Sequence, residues 1–559
     1  MDSVIRESSD NDDNVQDDMM MMANGNDDGL MNAKVGKRER EIDSSRSCVE
    51  RVIKLSRLSH NDVQLVKLMN TRLEDMKDDI RRIYRQEHGD SSSSVGDGGM
   101  SVDNFELIKE PFKCGVLSNF IEDTEYLHKL RSHLMDDVIY ERKNNDLYSF
   151  KQSQDFVSLD SQLIKTFRQF MLDQALPFFH HITGIPLYPD ELDINASKYE
   201  SNDVLLCHDD RLDERRIAFI LYLVEGWEED FGGTLDLFDR DENGQPRDIV
   251  KKITPQWNSL IFFEVSSQSF HQVSEIINQS RIRLTINGWF RGPQKPTMIN
   301  CFIESPLPEI KCGTVYIDED IFTDWINSVY LDSKTQAEIQ QDFVESSEIN
   351  LFQFFRPEKY EQLAEALKFT DGWIPQGPPN KRCFEILNES NYPEIVKECV
   401  NLLTSEEMFL TLHNFTGLKF HPLAIEVESD ESSDEESVAE SRSDNQEPSI
   451  TNDPRCSIQI RRWTKGSYSL IHDEDPEVMI EGPKLDVILH LNHNFTTNRD
   501  SGGFISYIAK NDDDDLLVVE PESNFLSLVY MDEQTVRFTK YLNNSHPDTY
   551  HDICLVFRQ

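Results

Sequence analysis

His208, Asp210 and His271 are the residue types that hold a divalent metal through one of its faces. In the run DVLLCHDD, positions two apart share a side of an extended strand, so His208 and Asp210 are expected to face one way and Asp209 the other. His271 closes the run SLIFFEVSSQSFH, 61 positions beyond Asp210, which leaves room for intervening strands. Two imidazoles and one carboxylate occupy one face of an ion and leave the opposite face open, the donor set of non-haem Fe(II) chemistry. Arg283 follows twelve positions after His271, with Thr285 on the same side of the same run, RLTINGWF. A guanidinium grips a carboxylate with two hydrogen bonds, and a Thr hydroxyl can add a third. Each residue alone has an ordinary reading: a lone histidine is more often a surface or satisfied group, and a lone arginine a strand-end charge. The order HxD, glycine turn, strand, His, Arg-x-Thr is the specific signal.

These residues must be positioned by strands. After Tyr188 the sequence changes to short β-rich runs, DINASKYE, DVLLCHDD, RIAFILYLVEG, GTLDLFDR, NSLIFFEVS and RLTINGWFR. They follow two helix-like stretches, EDTEYLHKLRSHLMDDVIY and one from Ser161 to about Phe179, and the combination predicts an α+β domain with a β-sandwich or barrel over 104–296. Upstream, residues 1–50 read as a disordered acidic tail, and 51–103 as an accessory helical segment and linker. Downstream, 297–559 read as a second domain interrupted by an acidic low-complexity insertion at about 426–452.

The β-rich part occurs twice. AFILYLVEGW matches DVILHLNHNF, with Ile220 and Ile488 lying 268 positions apart; FGGTLDLF answers SGGFISYI; and SLIFFEVSSQSFH answers SLVYMDEQTVRFT, again 268 positions on. The second copy keeps His472 and Glu474 in IHDED, but a constant shift sets Thr539 in the place of His271. Its last strand, DTYHDICLVFRQ, has no Arg-x-Ser/Thr. The second copy is therefore expected not to catalyse.

Composition narrows the function classes. The 559 residues include 56 Lys and Arg against 103 Asp and Glu, a net charge of −47 that disfavours a surface tracking a nucleic-acid backbone and favours a basic partner. Nine scattered cysteines contain no CxxC pair, which suits a reducing compartment. No apolar run approaches the roughly 20 residues of a membrane span. The cluster Lys34, Lys37, Arg38 and Arg40 reads equally as a nuclear address or as ordinary solvated charge, and the expected location is nuclear and cytoplasmic.

The segments CHDD, ILYLVEGW, GGTLDLF, FHQVSE and RLTINGWFRGP resemble the 2-oxoglutarate- and Fe(II)-dependent prolyl 3-hydroxylases that act on a small-subunit ribosomal protein. The resemblance covers most of the chain from Asn104 onward. It implies two double-stranded β-helix (jelly-roll) domains flanked by helices, the first catalytic and the second degenerate. It implies Fe(II) held by His208, Asp210 and His271, and 2-oxoglutarate held by Arg283, with O2 as second cosubstrate and ascorbate as reductant. Tyr222 in ILYL and Tyr199 in SKYE match the family's cosubstrate-binding tyrosines. Independently, Tyr222 is a phenol in an otherwise apolar strand, and a buried hydroxyl needs a partner. The expected substrate is a basic ribosomal protein, with consequences for translation. Two other readings stay open at this point: the same chemistry on another protein or on nucleic acid, and a non-catalytic acidic scaffold for basic partners.

Overall fold

The computed structural model describes residues 67–85, 100–212, 214–294, 307–422, 453–472, 482–491, 499–510, 512 and 514–558. The acidic tail, the basic cluster at 34–40, the acidic insertion and Glu474 lie outside the described residues.

In chain order, the first sheet comprises β1 (Met100–Val102), β2 (Phe105–Ile108), β3 (Cys114–Leu117), β4 (Tyr140–Asn144), β5 (Tyr148–Ser153), β6 (Leu192–Tyr199) and β7 (Val204–His208). It continues with β8 (Arg215–Tyr222), β9 (Leu235–Arg240), β10 (Pro246–Ile253), β11 (Ser259–Glu264), β12 (His271–Val273) and β13 (Arg283–Arg291). The second sheet comprises β14 (Ile310–Lys311), β15 (Glu348–Phe352), β16 (Trp373–Gln376), β17 (Arg382–Leu387), β18 (Arg455–Trp463), β19 (Tyr468–Ser469) and β20 (Lys484–Leu491). It ends with β21 (Ile505–Ala509), β22 (Asp515–Val519), β23 (Phe525–Met531), β24 (Thr535–Thr539) and β25 (Tyr550–Arg558).

The two sheets repeat one spatial order. β3-β11-β8-β13-β6-β5-β7-β12-β9-β10 in the first lobe is answered strand for strand by β15-β23-β20-β25-β18-β17-β19-β24-β21-β22 in the second. All of these pairings are antiparallel. The fold is sheet-rich, with helices packed on one side of each sheet.

Alternation explains how a strand serves both sides. On β8, Ile217, Phe219 and Leu221 enter the helix-covered core, while Ala218 and Tyr222 face the lobe interior with Leu235, Leu237, Ile261 and Phe263. β13 does the same: Leu284, Ile286 and Phe290 go to the helices, which leaves Arg283 and Thr285 for the interior. The covering helices present Leu127, Leu130 and Leu134, then Ile164, Phe167 and Phe170, at helical spacing.

One difference from the sequence reading concerns residues 51–103. The helices Thr71–Asp75 and Lys77–Arg85 are not an appendage: Leu73, Ile80, Ile83 and Tyr84 belong to the first lobe's core, and Tyr84 stacks on Phe262 of β11 at 5.7 Å. The apolar stripe was legible, but its described part enters the first lobe's core, where Tyr84 joins Phe105 and Phe179 around Phe262.

The lobes meet through equivalent pieces of chain. Val204 and Leu206 of β7 pack on Tyr468 and Leu470 at the corresponding strand of the second lobe. The Lys540 ammonium donates to the carbonyls of Asn145 and Tyr148, and the Ile471 amide donates to Asp146 at 2.9 Å.

Because Ile80 is fully buried in the first core, Ile80→Ala is expected to lower stability by about 2–5 kcal/mol, read as a drop in the denaturant midpoint. An unchanged midpoint would return this helix to the status of an appended segment.

Candidate active site

β7 and β12 are neighbours, and their register sets His208 directly opposite His271. The imidazole centroids lie 4.3 Å apart. Each ring has its Nδ1 against a backbone carbonyl two residues back, Leu206 O at 2.8 Å and Ser269 O at 2.7 Å. A carbonyl only accepts, so each Nδ1 carries the hydrogen, and the lone pair of each neutral ring is left on Nε2. Both Nε2 atoms converge on Asp210, at 3.4 Å from Oδ1 for His208 and 3.5 Å from Oδ2 for His271.

Asp210 reaches this place differently from the expectation of one extended strand. β7 ends at His208, and Asp210 has φ 62°, in the left-handed region that Asp tolerates better than most residues. The turn swings the carboxylate back over the two rings. The three ligand atoms lie within 4.8 Å of one another, the one such group of His, Cys, Asp or Glu among the described residues.

Electrostatics fit a metal-binding set. Burial opposes charge on Asp210, but His271, His208 and the nearby Trp289 indole outweigh it and hold the carboxyl well below the usual range. Burial and the neighbouring His208 push His271 down to about 4, so that ring is neutral and ready to ligate. For His208, burial is overcome by the Asp210 carboxylate, and its pKa rises.

The candidate clamp, Arg283, lies on the adjoining wall. It opens β13 opposite Tyr199 of β6 and is 1% exposed. Its Nε donates to the Gly233 carbonyl at 2.8 Å and its Nη2 to the Tyr222 hydroxyl at 3.4 Å. Its guanidinium carbon lies 5.0 Å from the ring centres of both Tyr199 and Tyr222, and Tyr199 is braced by a 4.7 Å stack on Phe150. Among the described residues no carboxylate pairs with Arg283. Beside it, the Thr285 hydroxyl is buried and without a partner. A buried cation and a buried unpaired hydroxyl on one strand face are costly unless an anion with hydrogen-bond acceptors joins them. The two histidines, the carboxylate and this incomplete pair fit Fe(II) and the dicarboxylate 2-oxoglutarate. Sequence reasoning missed the Gly233 carbonyl, which aims Arg283. Its signal was the doubled glycine of FGGTLDLF: Gly232 and Gly233 have φ 72° and 68°, where a side chain is strained.

Among its described residues the second lobe lacks this site, though not residue by residue as a constant 268-position shift suggested. His271 pairs with Leu237 of β9, and Val273 with Leu235; in the second lobe Arg537 pairs with Tyr507, and Thr539 with Ile505. Leu235 and Ile505 each stand two residues after a left-handed Gly-Gly. Arg537, not Thr539, thus occupies the place of His271. It pairs with Asp486 at 3.1 Å, and the Tyr507 hydroxyl donates to the same carboxylate at 2.6 Å. Tyr550 opposes Trp463 where Arg283 opposes Tyr199. Next to it, Asp552 takes two bonds from Arg461, at 2.7 and 2.8 Å, and one from the Trp463 indole. These interior charges are matched within the lobe.

Comparison with known proteins gives two family matches along the chain. Residues 194–291 match the 2OG-Fe(II) oxygenase superfamily, and residues 317–559 match the oxoglutarate and iron-dependent oxygenase degradation C-terminal domain. Prolyl 3-hydroxylase OGFOD1 of Mus musculus is 40% identical over 476 residues, covering 78% of this chain and 86% of the mouse protein. Prolyl 3-hydroxylase sudestada1 of Drosophila melanogaster is 30% identical over 480 residues, covering 79% and 82%. A solved prolyl-4-hydroxylase from Pseudomonas putida aligns with TM-score 0.27 and 20% identity over 32% of this chain and 91% of its own. The chain belongs to the prolyl 3-hydroxylase family of 2-oxoglutarate- and Fe(II)-dependent oxygenases.

Proposed function

We propose that this enzyme hydroxylates C3 of a prolyl residue in a small-subunit ribosomal protein near the decoding centre, with an effect on translation. The observation that carries the chemistry is the buried His208–Asp210–His271 group beside an Arg283 that has no carboxylate partner. His208, Asp210 and His271 would hold Fe(II) by one face; Arg283 and Thr285 would bind the distal carboxylate of 2-oxoglutarate, with Tyr222 alongside. When bound, these groups supply the oxidising power: 2-oxoglutarate and O2 become succinate and CO2, and one oxygen atom enters a C–H bond of the substrate. The chain's own part is to turn Nε2 of both histidines toward the metal's place, orient the cosubstrate through the clamp and exclude water. Ascorbate would serve to keep the iron divalent.

The repeated strand order supports reading both lobes as double-stranded β-helices, with catalysis confined to the first. The substrate rests on resemblance and charge: a chain of net charge −47 attracts a strongly basic protein and speeds its capture at low salt. Nuclear and cytoplasmic residence would accompany such a substrate. No helix among the described residues is long and apolar enough to cross a membrane.

His271→Ala is expected to abolish succinate formation and the binding of the single metal per chain; full activity in that variant would remove the oxygenase reading of this site. Arg283→Ala should retain metal but raise the 2-oxoglutarate requirement steeply, by roughly 2–5 kcal/mol of lost binding, in cosubstrate titrations. An unchanged requirement would mean that another cation, such as Arg281, makes the contact. For the substrate, the isolated ribosomal protein incubated with enzyme, iron and 2-oxoglutarate should gain one oxygen on a proline, seen by mass spectrometry. No gain there, with oxidation of a different protein or a nucleic acid, would keep the chemistry and replace the substrate.

A further inference from the structure

Glu275 lies four residues beyond His271, on the chain between β12 and β13, and is 8% exposed. Among the described residues no cation of its own lobe hydrogen-bonds its carboxylate. It accepts instead from two groups of the second lobe, the Asn544 backbone amide at 2.8 Å and the Tyr541 hydroxyl at 3.2 Å. The backbone of Glu275 in turn carries the doubled glycine: the Gly233 amide donates to the Glu275 carbonyl at 3.2 Å. A Cβ on Gly232 would stand 1.9 Å from that same oxygen, so the two backbones are in direct contact. The Gly233 carbonyl is the group that receives Arg283 Nε at 2.8 Å. A continuous path of hydrogen bonds and backbone contact thus runs from the second lobe to the guanidinium.

The second lobe repeats the arrangement. A Cβ on Gly502 would stand 1.8 Å from the carbonyl of Tyr541, as one on Gly232 would from that of Glu275. Glu275 and Tyr541 are therefore counterparts, bonded to each other across the interface.

We propose that Tyr541 and Asn544 position the Arg283 clamp through Glu275, and so help to set the affinity of the first lobe for 2-oxoglutarate. The proposal rests on the reading of Arg283 as the cosubstrate clamp. Tyr541, Asn544 and Glu275 are positioning residues, since none of them touches the cosubstrate's place. Without the two donors, the Glu275 carboxylate would be buried with two fewer hydrogen bonds, and the segment under Gly232 and Gly233 would shift toward water. The Gly233 carbonyl would move with it, and a guanidinium held by one fewer bond would meet the cosubstrate carboxylate in poorer geometry.

The test measures 2-oxoglutarate binding by calorimetry on the full chain loaded with Mn(II) in place of iron, together with KM and kcat from succinate formation on the iron enzyme. Tyr541→Phe is expected to raise the 2-oxoglutarate Kd about threefold and Glu275→Ala about tenfold, the scale of one and two lost hydrogen bonds. KM should follow Kd, while kcat at saturating 2-oxoglutarate and the affinity for Mn(II) stay as in the parent. Glu275→Gln, which still accepts from Asn544 and can bond Tyr541, should restore the parent Kd. Adding Glu275→Ala to Arg283→Ala should cost nothing further, because the path ends at Arg283. If Arg283→Ala weakens 2-oxoglutarate binding but Tyr541→Phe and Glu275→Ala do not, the path is refuted and the clamp stands. A fall in kcat or in stability with an unchanged Kd, or an additive double variant, overturns the proposal in the same way. If Arg283→Ala leaves binding unchanged, the clamp reading itself fails. Should Glu275→Ala not fold, Tyr541→Phe, which deletes one oxygen at the edge of the interface, decides the matter.

Discussion

A full positive charge buried with no carboxylate beside it is the constraint around which the first lobe is organised. Among the described residues Arg283 has a carbonyl, a phenol and two aromatic faces for company and no carboxylate. Such a cation persists in an apolar interior only if the surroundings hold it firmly and a counter-charge can arrive. The second lobe shows the other solution to the same problem. Arg461 with Asp552, and Arg537 with Asp486, satisfy each other internally. On one strand framework, one interior holds a buried charge that no described carboxylate pairs with, and the other is closed by its own salt bridges.

The candidate metal site and the candidate clamp follow from strand pairing more than from any single side chain. The antiparallel register of β7 and β12 sets two imidazoles side by side, and the carbonyls of Leu206 and Ser269 fix which nitrogen of each faces inward. The alternation of β13 sends Leu284 and Ile286 to the helices, and Arg283 and Thr285 inward. Catalytic geometry and core packing are therefore the same property of these strands seen from opposite sides.

Much of this was legible in the sequence, because metal ligation and carboxylate recognition demand scarce residue types in a fixed order. His208, Asp210, His271 and Arg283 were each readable from type and spacing, and Tyr222 from its solitary hydroxyl in an apolar run. What escaped notice was conformation and register. No pattern announces that Asp210 turns left-handed instead of continuing a strand. The repeat looked uniform as text, yet Leu237 aligns with Tyr507 and His271 with Arg537 once the ladders are compared, because loops differ in length between the copies. Contacts such as Glu275 with Tyr541 join positions far apart in the chain and leave no local trace.

The interface that joins Val204 and Leu206 to Tyr468 and Leu470, and Asp146 to Ile471, brings equivalent strands of the two lobes together. Had the lobes been separate subunits, that contact would obey mass action, and dilution would strip the first lobe of whatever the second supplies. Carried on one polypeptide, the second lobe is present at an effective concentration set by the tether and not by the amount of protein in the cell. Scarcity of the enzyme therefore leaves each molecule as complete as abundance does.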